Sequence, residues 1–234
     1  MRKKSILWAA LMMVAVNLMP CKAQQVTTTP LSIDDVAFAL EVLGVQTTRF
    51  DLTQFKDKEY NVSVYVDEYE KGNPKAVNRK QNRWGANLID LRQYPEEERE
   101  RRRQIFAIPE GEHIGLRITD AVFALHHAKG DSIATFKYHV NMAGGTSLPL
   151  KLRKLEGLRL GYSYYLRPFA LKPIQDKNEV EIPLWLYGSV WADGEIYRFC
   201  GENEIDPEMK ADSDILTYCP HYFVIGISLK KVAK

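Results

Sequence analysis

Residues 222–230 read Tyr-Phe-Val-Ile-Gly-Ile-Ser-Leu-Lys. Phe223, Ile225, Ile227 and Leu229 take alternate positions, with Tyr222, Val224, Gly226, Ser228 and Lys230 between them. That period of two marks an extended strand, because successive side chains point to opposite faces. An amphipathic helix would space its apolar residues three and four apart. The alternation recurs at Val62, Val64 and Val66, at Ile114, Leu116 and Ile118, and at Ala134, Phe136, Tyr138 and Val140. Two further stretches, Gly161–Phe169 and Val180–Trp191, are rich in aromatic and β-branched residues. One-sided burial goes with antiparallel pairing. The expected fold class is therefore all-β: an antiparallel β-sandwich with little helix.

Helix signals are few. Ser32-Ile33-Asp34-Asp35 fits a helix start and Gly44 a stop, yet Val36, Phe38, Leu40 and Val42 also alternate, so both readings stay open. Pro95–Arg103 fits a charged turn or two of helix. The chain has 234 residues, 45% hydrophobic and 26% charged, an ordinary globular composition.

The N-terminus carries an export signal. Arg2-Lys3-Lys4 precedes an apolar run from Ile6 to Met19 broken only by Asn17. The run suits a signal-peptide core and is shorter than the roughly 20 residues of a membrane span. Cys21 and Ala23 stand three places and one place before Gln24, so cleavage is expected after Ala23. The alternative is a lipid anchor on Cys21, with cleavage just before it. No later apolar run is long enough to span a bilayer, so no transmembrane segment is expected once the leader is removed. The expected organisation is a signal peptide at 1–23, a tether and short element at 24–44, and a single sandwich domain at 45–234. The polar stretch 71–103 reads as a long insertion into it.

The charge balance excludes one function class. The chain has 32 basic and 30 acidic residues, and Arg2, Lys3, Lys4 and Lys22 all lie in the leader. Without those four the count is 28 against 30, and nucleic-acid binding, which leans on a basic excess, is not expected. Past the leader the cysteines are Cys200 and Cys219. In an oxidising compartment they pair into a disulfide closing a loop of roughly 20 residues, worth about 3 kcal/mol on the chain-entropy model. Two buried thiols are the alternative.

Motifs that carry recognised chemistry are few. There is no HExxH, GxSxG or Walker-type loop, and Gly144-Gly145-Thr146 reads as a turn. His126 and His127, if extended, point to opposite faces and do not chelate one ion together. No metal site, cofactor or catalytic residue is expected. Glu68 and Glu70 read as strand-end acids, and Asp193-Gly194-Glu195 as a hairpin turn. The best functional hint is an aromatic row in Glu181–Trp191. Strict alternation puts Ile182, Leu184, Leu186 and Val190 on one face, and Trp185, Tyr187 and Trp191 on the other. If the aliphatic face is core, the rings form an open strip for a glycan or a partner protein. If both faces are covered, the rings fill a second layer.

Arg49-Phe50-Asp51-Leu52, Tyr65-Val66-Asp67-Glu68-Tyr69, Arg167-Pro168-Phe169, Leu186-Tyr187-Gly188-Ser189 and Arg198-Phe199-Cys200-Gly201 carry a resemblance. Together with the Cys-Lys-Ala leader end, they resemble an uncharacterised secreted domain-of-unknown-function family of Bacteroides-type Gram-negative bacteria. The likeness covers most of the chain after the leader. It implies export across an inner membrane, to the periplasm or cell surface, and brings no active site with it. The resulting expectation is an exported, non-catalytic envelope protein whose partner is a glycan or another envelope protein. A glycan-acting hydrolase is the alternative.

Overall fold

A computed structural model describes residues 33–155, 161–173, 177–193, 196–199, 204–208 and 214–232. The chain divides into two units, Met1–Ala37 and Phe38–Lys234. The helix reading of the open N-terminal stretch is the one adopted, as α1 (Ile33–Val42), with Gly44 at φ +71° closing it.

Two antiparallel sheets form the body of the second unit, and two small strand pairs accompany them. The smaller contains β1 (Val45–Asp51), β6 (Asp120–His126), β7 (Ile133–Val140) and β8 (Gly144–Lys151), in the order β1-β6-β7-β8. The larger contains β2 (Tyr60–Glu70), β3 (Asn78–Ala86), β9 (Tyr164–Pro168), β10 (Glu179–Ser189) and β13 (His221–Lys231), in the order β3-β2-β13-β10-β9. The sheets pack face to face as an all-β sandwich. Strict alternation of buried and exposed residues along β7 is what a half-covered sheet produces.

The core between the sheets is aromatic. Trp185 of β10 meets Phe123 of β6 at 5.6 Å, Phe50 of β1 at 6.2 Å and Phe136 of β7 at 6.3 Å, all edge to face. Val62, Val64 and Val66 of β2 and Ile225, Ile227 and Leu229 of β13 complete this core. The alternation read from 222–230 therefore reports the inward face correctly. The outward face is not open, however. Tyr222, Gly226 and Ser228 point away from the first core, yet Tyr222 and Ser228 are buried and the Tyr65 ring lies against Gly226. A second core covers part of this side, built from Phe169, Leu186, Ile205, Cys219 and Tyr222.

The stretch 71–103 is not one insertion. Its first part supplies β3, which pairs with β2 from Glu68↔Asn78 to Asn61↔Ala86. Only the part after β3 leaves the sandwich. There β4 (Leu88–Asp90) pairs with β5 (Ile114–Leu116), and α2 (Glu96–Ile105) starts after Pro95. Ile89, Leu91 and Ile108 form a small core of their own. Acids in the first turn of α2 and Arg102 and Arg103 in its last turn complement the helix dipole. β11 (Trp191–Asp193) pairs antiparallel with β12 (Ile196–Arg198), while Gly194 and Glu195 of the expected turn lie outside the described residues. A short helix α3 (Asp214–Tyr218) precedes β13.

Candidate functional site

The aromatic row is placed differently from the open-strip reading. Trp185 and Tyr187 are each 2% exposed and share the inward face. The cause is a register shift between Pro183 and Trp185 in the β10–β13 ladder, where Leu184 is the extra residue. One inserted residue exchanges the two faces of everything after it. Leu186 accordingly falls in the second core, not with Ile182. Pro183 was the available signal, since a proline within a strand is tolerated chiefly at edges and bulges. Trp191 belongs to β11, is half-buried, and stacks on Tyr218 with centroids 6.4 Å apart. The structure thus brings Trp185 and Tyr187 together and leaves Trp191 apart from them.

Cys200 lies outside the described residues, and with it the expected bridge. The Cys219 thiol is buried and donates to the Ser189 carbonyl at 3.3 Å. His126 is exposed, whereas His127 turns inward, so the two do not converge. Among the described residues no group of three or more His, Cys, Asp or Glu is placed to hold a metal ion.

Polar chemistry collects at one end of the sandwich interior. Glu68 and Glu70 continue the inward parity of Val62, Val64 and Val66, and His221 continues that of Phe223 and Ile225. A buried imidazole and the half-buried acids beside it need partners, and these side chains supply them to one another. The Arg153 backbone N–H donates to the Tyr164 hydroxyl at 3.0 Å. Tyr164 in turn meets His221 Nδ1 at 2.6 Å, and His221 Nε2 meets a Glu68 carboxylate oxygen at 3.0 Å. The carboxylate accepts, so Nε2 carries the proton and Nδ1 accepts from the tyrosine hydroxyl. His221 is 1% exposed, and its backbone N–H donates to the Ser189 hydroxyl at 3.2 Å. Burial holds the His221 imidazole below its ordinary pKa against the pull of Glu68. Burial also pushes the Tyr164 hydroxyl up, so it stays protonated.

A second pair repeats the pattern. Tyr187 donates to His127 Nδ1 at 2.7 Å, while His127 Nε2 donates to the Asp131 carbonyl at 2.9 Å. The Tyr164 and Tyr187 rings stand 5.4 Å apart. Both tyrosines are held neutral by burial, which suits them to hold geometry rather than to attack a substrate.

Two members of the first network, Glu68 and Arg153, line a cleft of about 680 Å³ on the open side of the sandwich, where β3 and β8 are the edges. Val66, Leu150, Leu152 and Phe223 make an apolar floor. Lys80, Lys151, Arg153 and Lys154 line the mouth, with Glu68 and Asn78 at its side. Arg153 is held at both ends: its backbone by Tyr164, and its guanidinium by an ion pair with Glu70, with Glu68 3.9 Å away. Asn78 donates to Glu68 at 3.3 Å, so that carboxylate is fixed from two sides. Lys80 reaches across the opening to the Pro149 carbonyl at 3.4 Å. The volume lies in the range of small-molecule sites, and an apolar floor under a few charged groups is their usual lining.

A second cleft of about 560 Å³ opens on the opposite side, beside β1. Its walls are mostly apolar: Phe50, Phe55, Leu171, Ile182, Leu184 and Ile227.

The residues of the first cleft were not singled out from the sequence as a site. Parity was the signal that could have found part of it. Acids at Glu68 and Glu70 on a face otherwise built from valines imply buried partners. Arg153 and Tyr164 carried no local signal, because they reach the site from the segment after β8 and from β9.

No curated protein and no solved structure matches the chain. The profile of a family described as Domain of unknown function (DUF5041) matches residues 17–231, nearly the whole length and both sheets of the sandwich, and the chain belongs to that family.

Proposed function

We propose that this protein is an exported, non-catalytic binding module of the cell envelope, and that the cation-lined cleft takes an anionic ligand. The observation carrying this reading is that Lys80, Lys151, Arg153 and Lys154 all line one apolar-floored cleft of about 680 Å³, against the single carboxylate of Glu68. An excess of one sign of charge around a low-dielectric concavity focuses the field there and favours an oppositely charged ligand. The edge itself argues for recognition by side chains. Pro149 offers no N–H for an added strand, and Lys80 already occupies its carbonyl. Proline and lysine on an edge strand are devices against strand pairing. An anion seated on the floor and read by the cations fits this edge better than a peptide that extends the sheet. Export rests on the leader at 1–23, with Gln24 as the first mature residue.

A matched series with one apolar body tests the cleft: hexanoate, hexyl sulfate, hexanol and hexylamine, monitored by amide chemical-shift titration. The two anions should shift residues around Val66, Leu150 and Phe223, and the alcohol and amine should not. Replacing Lys80, Lys151 and Lys154 together by Ala should weaken the anions about tenfold or more, near 1.4 kcal/mol. Equal shifts from all four compounds, or none, would refute an anion site.

A further inference from the structure

We infer that the cleft reads a carboxylate through Arg153, and that Glu70 is the internal stand-in which the ligand displaces. The inference rests on the anion-site reading and names the ligand class and the residue that selects it.

Arg153 is the one guanidinium among the described residues that line the cleft, and a guanidinium offers a planar fork that matches a carboxylate in two-point fashion. Its position is set from behind. Tyr164 holds its backbone N–H, and Tyr164 is itself locked to His221 and through it to Glu68. The guanidinium end is less tightly held. The Arg153 side chain is 55% exposed and the Glu70 side chain 40%, an arrangement in which solvent screens most of the attraction. Glu68 differs: it accepts from both His221 and Asn78 and is only 19% exposed, so it stays in place.

An incoming anion therefore competes with Glu70 and not with Glu68. It gains the apolar floor and the three lysines, which Glu70, tethered at the end of β2, does not reach. The persistent Glu68 charge also bears on what kind of anion enters. It repels a doubly charged phosphate more than a singly charged carboxylate, which offsets part of the dianion's larger attraction to the lysines. The group that Arg153 already holds is a carboxylate, and the ligand reproduces it with an apolar body attached.

The test measures hexanoate and hexyl phosphate on the whole protein and on two variants of exposed side chains, Glu70→Gln and Arg153→Lys. Circular dichroism melts establish that each variant is folded. Removing the competing charge should tighten hexanoate by about threefold to fivefold, the range of a screened surface pair. Arg153→Lys keeps the charge but loses the fork, and should abolish the preference of hexanoate over hexyl phosphate. If hexanoate binds the unaltered protein but ignores both substitutions, this inference fails and the anion cleft stands. A wild-type preference for hexyl phosphate over hexanoate would likewise overturn it. If neither compound binds the unaltered protein, the cleft reading itself falls.

Discussion

Trp185→Ala is the substitution on which the packing argument is most exposed. The indole is 2% exposed and touches rings from three strands of the opposite sheet. A buried tryptophan removes about 150–250 Å² from water. At roughly 25 cal/mol per Å² that burial contributes about 4–6 kcal/mol, of which the alanine methyl keeps a small share. Aromatic truncations in cores cost about 3–5 kcal/mol, so about 4 kcal/mol is expected here. Domains of this kind have about 5–15 kcal/mol in total, so the variant should still fold while melting far earlier. Urea unfolding monitored by far-ultraviolet circular dichroism, with an unchanged slope, would read the difference directly. Trp185→Phe should lose only about 1–2 kcal/mol, since a ring remains for Phe123 to meet. Trp191→Ala, at a half-buried stack, should cost about 1–2 kcal/mol. A loss below about 1.5 kcal/mol for Trp185→Ala would show that the indole is not the joint between the sheets.

Particular contacts set the other expected outcomes. Gly226→Ala should cost about 1–3 kcal/mol in the same urea assay, because a Cβ there overlaps the Ile182 carbonyl and comes within 2.6 Å of the Tyr65 hydroxyl. A neutral effect would mean that the bulge beside Pro183 relaxes freely. His221 has its native pKa below the ordinary 6.5, so the unfolded chain binds the extra proton. Its contribution is fully present above about pH 6.5 and declines as pH falls toward the native value. The urea midpoint of His221→Gln should therefore change less between pH 7 and pH 5 than that of the unaltered protein, and equal slopes would exclude His221 as the titrating group. On the proposed export, the intact mass of the protein recovered from the cell envelope should correspond to a chain starting at Gln24. A species starting at an acylated Cys21 would place the protein on a lipid anchor instead.

What the sequence determined by itself was local. Period-two alternation in 62–66, 134–140 and 223–229 was enough for strands, for their inward residues and for an antiparallel all-β sandwich, because alternation comes from backbone geometry within one strand. Where a strand is covered on both sides, as β13 is, the residues between the inward ones are buried as well. Faces are then assigned by what packs on them, and the second core comes from residues as distant as Phe169, Ile205 and Cys219. Face assignment in β10 failed for a related reason. Strict alternation carries no account of the ladder to β13, and a single extra residue at Leu184 exchanged its two faces. The candidate site is the extreme case. Glu68, Tyr164, Arg153 and His221 are separated by up to 153 positions in sequence, and each reads locally as an ordinary strand or loop residue. Only the pairing of β2, β13, β10 and β9 into one sheet, with the segment after β8 brought against it, puts them within hydrogen-bond distance, because a charge or imidazole acquires its partner, its desolvation and its proton from neighbours that the chain supplies through its fold.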